Sequence, residues 1–387
     1  MSGSLPHRWS LDHNPLSGLT LGRWWTLLRD NGFAVDGAYA HRAAFITGMS
    51  AFNSLCHAIE FACCERSLRA VHVRQDPVFI TGHWRSGTTH LHNLLGLDSR
   101  LTYPTTYQVV NPMSFLSTQR ILPRLFAPLL PKRRPMDDMK MSFDAPQEDE
   151  LALSLLSGMS LYLSLSFPRR ASHYDRYLTF ADASVDETAR WKDAFRYFVR
   201  KLSLCDSRRF VFKSPGHTAR IGLLLELFPE ARFIHIHRDP YAVFQSSRHY
   251  FNTAAWHANL QAHDPTTFDD AILRRYDVLY DAYLAERELI PQGRLYELGY
   301  DALTANPLDE LERAYSALDL GSFAPVAPRL RTYLASHADY RPNAHRPLDE
   351  PTRRRVARAW QRYFDEFGYR TGFESRVSTA PLKESAA

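Results

Sequence analysis

The most constraining feature of this chain is a run of eight residues. Gly82-His83-Trp84-Arg85-Ser86-Gly87-Thr88-Thr89 follows the short apolar run Pro77-Val78-Phe79-Ile80-Thr81. It precedes His90-Leu91-His92-Asn93-Leu94-Leu95, where Leu91, Leu94 and Leu95 fall on one side at helical spacing. A buried strand, a tight glycine turn and a helix are therefore expected in that order. That context gathers successive backbone N–H groups and the positive end of a helix dipole, with Ser and Thr hydroxyls as further donors. It suits an anion.

The spacing is Gly-x4-Gly-Thr-Thr, which resembles a Walker A loop with Thr88 where the lysine belongs. Without that lysine the β/γ-phosphates of a nucleoside triphosphate lose their cation, so an ordinary ATPase is disfavoured. Arg85 restores a cation on the loop itself, and the loop suits a diester or anhydride at a 5′-phosphate. A second motif lies far downstream. Phe233-Ile234-His235-Ile236-His237-Arg238-Asp239-Pro240 reads as a strand that ends at Arg238 and turns at Asp-Pro, and the helix after it presents Ser246. An arginine at a strand end and a serine on the next helix can grip one further phosphate from two sides.

Two more strand candidates, Arg209–Lys213 and Arg294–Leu298, flank that motif. A helical run, Ile221–Phe228, separates the strand ending at Lys213 from the one ending at Arg238. Strand, helix and strand at this spacing predict a parallel sheet. The expected fold class is a P-loop-like three-layer α/β fold, its mainly parallel sheet flanked by helices. Residues 1–75 form a helical N-terminal extension to the domain at 76–387, and the Pro-rich segment at about 101–145 reads as an insertion rather than sheet. Asp144 with Gln147 has the spacing of a capping box, which predicts a helix from there to about Leu163. Trp191, Phe195, Phe198 and Leu202 repeat at helical spacing and read as core, as do Val356, Trp360, Tyr363, Phe364 and Phe367.

Composition narrows the function classes. The 47 Lys+Arg against 42 Asp+Glu give a net charge of +5, spread along the chain, so nucleic acid is not an expected partner. Four cysteines without metal-ligand spacing fit a reducing compartment, and the start of the chain lacks the basic-then-apolar pattern of a secretory leader. A cytoplasmic protein is expected. The weakly charged stretch Ala43–Ile59 contains Gly48, Ser50, Asn53, Ser54 and His57, against a spanning helix. Trp24-Trp25 beside Arg23 and Arg29 has the composition of an interfacial helix. Packing on the main domain and peripheral membrane contact through the N-terminal helices are both open.

Together the motifs resemble those of sulfotransferases that use 3′-phosphoadenosine 5′-phosphosulfate (PAPS), most closely the bacterial branch whose loop reads Gly-x-x-Arg-Ser-Gly-Thr-Thr. Phe212-Lys213-Ser214-Pro215-Gly216-His217 is similar to the family's Lys-Ser-Pro segment, and Leu295-Tyr296-Glu297-Leu298 to its late Tyr-Glu strand. The resemblance covers roughly Pro77 to Tyr369. It implies that Arg85, Ser86, Gly87, Thr88 and Thr89 bind the 5′-phosphosulfate, and that Arg238 and Ser246 bind the 3′-phosphate. His90 sits where relatives often place an adenine-stacking aromatic. The implied reaction is in-line transfer of SO3 from PAPS to a hydroxyl or amine of a small, lipid-like acceptor, with no metal.

Arg85 stands where many relatives have lysine, so its implied role is electrostatic, with Lys213 as the second cation at the sulfuryl group. The base is open among three residues. His217 arrives later than the family's histidine, and the cluster Gln147-Glu148-Asp149-Glu150 offers Glu148 and Glu150. On the expected helix Glu148 shares a face with Leu151, Leu155 and Met159 while Glu150 points elsewhere, which favours Glu148. The loop Tyr340–Pro347 carries Arg341 and Arg346, which as a late loop could close over the donor's phosphates or serve as a linker. The alternatives are a non-catalytic nucleotide-binding protein, against which Arg85 and Lys213 speak, and a P-loop kinase, which Thr88 opposes.

Overall fold

The computed structural model describes residues 8–11, 14–127, 142–337 and 347–373. Five parallel strands form one sheet: β1 (Val78–Thr81), β2 (Leu101–Thr102), β3 (Arg209–Lys213), β4 (Arg232–His237) and β5 (Leu295–Gly299), in the order β2-β3-β1-β4-β5. The chain leaves β1 toward β2 and β3 on one side and later adds β4 and β5 on the other. The turn after β1 therefore sits where the strand order reverses, the place where open α/β sheets hold ligands.

The sheet is buried on both faces because its strands alternate between two cores. Phe79, Phe212 and Phe233 pack with Phe195, Leu224 and Tyr280, while Val78, Ile80, Val211 and Ile234 pack with Leu91, Leu94 and Tyr315. Helices supply both outer layers. Those used below are α1 (Leu21–Asp30), α2 (Ala40–Ala70), α3 (Thr88–Leu95), α4 (Asp149–Ser157), α5 (Val185–Cys205), α6 (Ile221–Leu227) and α7 (Pro240–Thr253). The expected stripe Trp191, Phe195, Phe198 and Leu202 is the buried face of α5. Val356, Trp360, Tyr363 and Phe364 are buried on the helix Glu350–Glu366.

Two expectations need correction. The Pro-rich segment does contribute to the sheet, because Leu101 and Thr102 pair with Arg209 and Phe210. The helix carrying the acid cluster begins at Asp149 and ends at Ser157, not between Asp144 and Leu163. Residues 143–145 instead form a turn, and Pro146 makes an isolated antiparallel bridge with Thr105: Thr106 N donates to Ala145 O at 2.9 Å and Gln147 N to Pro104 O at 3.0 Å. The capping box in this region belongs to Thr105 and Gln108, at the start of the helix Thr106–Val110. The tryptophan pair divides between the two readings left open for it. Trp24 is buried, with Nε1 donating to Thr47 Oγ1 at 2.9 Å, whereas Trp25 is 61% exposed.

Candidate functional site

The turn after β1 is shaped by three residues with positive φ: Gly82 (139°), Arg85 (72°) and Gly87 (98°). A Cβ at Gly82 would lie 2.3 Å from Ile236 O, and one at Gly87 would lie 2.3 Å from Tyr300 Cδ2, so only glycine fits either place. Arg85 has no such excuse. A non-glycine residue in the left-handed region costs about 1–2 kcal/mol, and a side chain held there against that cost is a functional signal. Its Nε donates to Ser246 Oγ of α7 at 2.8 Å. Arg238, one residue past β4, donates from Nη1 to Arg85 O at 3.1 Å, and its guanidinium lies 4.2 Å over the Tyr300 ring. The two motifs, about 150 residues apart in sequence, thus touch through Arg85.

The remaining loop residues lock this arrangement. Ser86 Oγ donates to His83 O at 2.6 Å, and Gly82 N donates to Thr218 Oγ1 at 2.7 Å. Thr88 and Thr89 form the first turn of α3, with Thr88 buried. Burial pushes the imidazole of His83 down to about 4, so it is neutral near pH 7. His90, on the following turn, is half-buried. Burial, and secondarily the neighbouring His337, lowers its pKa.

Across from the loop, Lys213 ends β3 almost fully buried. Its Nζ lies 2.7 Å from Glu148 Oε1 and 3.3 Å from Thr89 Oγ1. The other carboxylate oxygen, Oε2, accepts a hydrogen bond from the Tyr162 hydroxyl, which in turn accepts from Trp84 Nε1 at 2.9 Å. Burial and then the Glu148 carboxylate push the Tyr162 hydroxyl well above its ordinary range, so it remains a donor. Trp84, Thr89, Lys213, Glu148 and Tyr162 therefore form one connected set. Tyr162 carried no sequence signal, because nothing local marks a tyrosine that reaches back to a loop 78 residues earlier.

The facial argument for Glu148 is overturned even though its placement beside Lys213 is observed. Glu148 is the residue before α4, with extended backbone, and its side chain is the most exposed of the three acids, at 16%. Asp149 and Glu150 are the buried pair. Asp149 meets His217 Nε2 at 2.5 Å and accepts from Ser214 Oγ at 3.0 Å. Although burial acts to raise it, the His217 imidazole and these hydrogen bonds hold the Asp149 carboxyl below its usual range. Glu150 accepts from Arg220 Nη1 at 2.6 Å and from Ser160 Oγ at 2.6 Å. Glu150 and His217 are thus turned into the interior, each engaged by a buried partner. Tyr340 and the two arginines after it lie outside the described residues.

Comparison with known proteins identifies the family. The model of the sulfotransferase family matches residues 77–325. The omega-hydroxy-beta-dihydromenaquinone-9 sulfotransferases Stf3 of Mycobacterium tuberculosis (strain CDC 1551 / Oshkosh) and of Mycobacterium bovis are each 37% identical over 369 residues, which is 95% of this chain and 95% of theirs. Among solved structures, sulfotransferase STF1 of Mycobacterium tuberculosis H37Rv is similar with a TM-score of 0.63 at 17% identity, covering 92% of this chain and 93% of that one. Sulfotransferase STF9 of Mycobacterium avium gives 0.62 at 20% identity, covering 91% and 97%. At those identities the structural likeness speaks to the α/β fold.

Proposed function

This chain belongs to the sulfotransferase family, and from that premise we propose that it moves a sulfuryl group from PAPS to the hydroxyl of a lipid-like acceptor. One observation carries the reading. Lys213 and Glu148 stand 2.7 Å apart beside the first turn of the helix that the anion loop opens. A cation and a carboxylate so placed serve the two charges that change during group transfer.

The residues suit the donor by charge and by placement. Arg85, Lys213 and Arg238 lie at the carboxyl ends of the neighbouring strands β1, β3 and β4, which gives a polyanion three cations around one loop. PAPS would supply the sulfuryl group as an activated anhydride. Arg85, always protonated, and the loop N–H groups hold the phosphate end and stabilise the charge left on it. Arg238 and Ser246 hold the second phosphate. Glu148 takes the acceptor's hydroxyl proton as the new O–S bond forms and the S–O bond to the 5′-phosphate breaks, leaving 3′,5′-ADP and a sulfate ester. Tyr162 and Lys213 fix the carboxylate through separate oxygens, so its lone pairs are aimed before the acceptor arrives. Asp149 and Glu150 act one step removed, anchoring the segment that carries Lys213.

The acceptor class follows from the relatives, since 37% identity across 95% of the chain connects it to enzymes named for an omega-hydroxylated menaquinone. A hydroxyl at the end of a long apolar chain is the proposed target. Two measurements test the whole reading. Calorimetry with 3′,5′-ADP and with ATP/Mg should give binding for the first and little for the second. Transfer of labelled sulfate from PAPS should be seen with an omega-hydroxylated polyprenyl quinone and not with its non-hydroxylated counterpart. ATP/Mg binding without 3′,5′-ADP binding would sink the donor assignment, and equal labelling of both quinones would sink the acceptor.

A further inference from the structure

The long helix α2 buries Ile46 and Leu68 but also turns several polar side chains inward. Its inward face carries its polar anchors: Arg42 donates to Trp256 O at 2.8 Å and Asn259 O at 3.0 Å, Asn53 donates to Ser17 O at 2.7 Å, and Glu60 pairs with the buried Lys201. Its outward face is apolar. Gly48, Ala51, Phe52, Leu55, Ala58 and Ile59 recur at helical spacing and are all exposed, Leu55 at 62% and Ile59 at 51%. Between Arg42 and Glu65 the only charged side chain is Glu60, and it points inward. A surface helix normally shows the reverse polarity, so this face is made for an apolar phase rather than water.

The surroundings extend that face and give it a charge. Leu21 N donates to Ser54 Oγ at 2.8 Å, which sets the start of α1 beside Leu55, and exposed Trp25 packs against Phe33 at 5.1 Å. The helix Phe115–Thr118 is tied to α2 through Ser117 N and Glu60 at 3.2 Å, and leads to Ile121 and Leu125, 61% and 64% exposed. Arg66, Arg120 and Arg124 are exposed among these side chains. The acids nearby are already used, Glu65 by Arg69 at 3.0 Å and Asp30 by Arg29 at 3.2 Å. Apolar side chains with a tryptophan and a fringe of guanidiniums are the chemistry of an anionic lipid surface. Two copies docked through the same fringe would oppose like charges instead.

Among the described residues no helix is long and apolar enough to cross a membrane. We infer that the outward face of α2, with the exposed residues of α1 and of 121–125, docks the enzyme on an anionic membrane, the phase in which a lipid-like acceptor resides. This rests on the lipid-acceptor reading above.

The test is flotation of the full chain with vesicles of phosphatidylcholine, with and without phosphatidylglycerol. The exposed pair Leu55→Glu/Ile59→Glu is compared with the parent protein. The parent should float with the anionic vesicles at least about tenfold more than the variant, and less as salt rises. Both proteins should sulfate a water-soluble, short-chain hydroxylated acceptor equally, which shows the variant folded. Parent protein left in the supernatant with both vesicle types would overturn the proposal. So would a vesicle-free dimer that the double substitution converts to monomer, since the face would then belong to a second copy. If the soluble acceptor is not turned over by either protein, the transfer reading fails while flotation still decides the docking.

Discussion

The two halves of the site are built by different means. On the loop side, backbone conformation does the positioning: Gly82, Arg85 and Gly87 take positive φ, and Arg85 is tied to both Ser246 and Arg238. On the acid side, side-chain pairing does it. Three consecutive carboxylates engage three basic groups of one segment, Glu148 with Lys213, Asp149 with His217 and Glu150 with Arg220. A backbone-built half is held by local conformational energy. A half built from buried ion pairs holds only while every charge keeps its partner. The second half should therefore break more sharply when a single partner is removed.

The largest effect expected from that contrast is Arg220→Met. It strands the Glu150 carboxylate, which is 2% exposed, and should cost about 3–5 kcal/mol in urea unfolding. Adding Glu150→Gln should recover part of that loss, while 3′,5′-ADP affinity of the folded protein stays near the parent value. A loss under about 1 kcal/mol would erase the distinction between the halves. Next comes Lys213→Met, which removes the cation shared by Thr89 and Glu148. Turnover should fall about a hundred- to a thousandfold in a sulfate-transfer assay.

Legibility in the sequence follows the same division. The strands β1, β3, β4 and β5 end in glycine, lysine or arginine turns and were readable as apolar runs, whereas β2 is two residues long inside a Pro-rich segment and left no period to read. The loop was readable because glycine spacing reports backbone geometry directly. The acid cluster is visible in the sequence, but its pairing is not, because it joins residues more than sixty positions apart. Nor does the sequence show where its helix begins, which is at Asp149. Hydrogen bonds from Thr106 and Gln147 hold the preceding residues in a turn and a single bridge, a tertiary constraint that the Asp144 and Gln147 spacing does not reveal. The buried polar face of α2 was equally hidden, since periodicity shows which residues share a side but not which side meets the core.

Glu148→Gln sharpens the comparison at the point where the halves meet. The amide keeps the shape and a hydrogen bond with Tyr162 but gives up the base. Turnover should drop about a hundredfold or more, with 3′,5′-ADP affinity changed by less than about threefold. Unchanged turnover would remove Glu148 as the base and return the choice to the other residues of the cluster.

The smallest expected effect separates the halves by pH. Burial lowers His83, in the loop, to about 4, and burial with the Lys213 charge lowers His92, on α3, to about 3. Each stays neutral in the native state while its unfolded counterpart, near 6.5, takes a proton as pH falls. Their contribution to stability is therefore complete above pH 6.5 and declines on acidification toward 4. Asp149 behaves otherwise. Its carboxyl is lowered below 3.8, so what it contributes persists through that window and is lost only as pH falls further, through its lowered value. Between pH 6.5 and 4 the loop half should weaken while the Asp149–His217 pair does not lose its carboxylate. Urea midpoints across that window should fall, and His83→Gln should flatten the slope by up to about 1.4 kcal/mol per pH unit. An identical slope in the variant would mean that His83 already carries its proton in the native loop, beside Arg85.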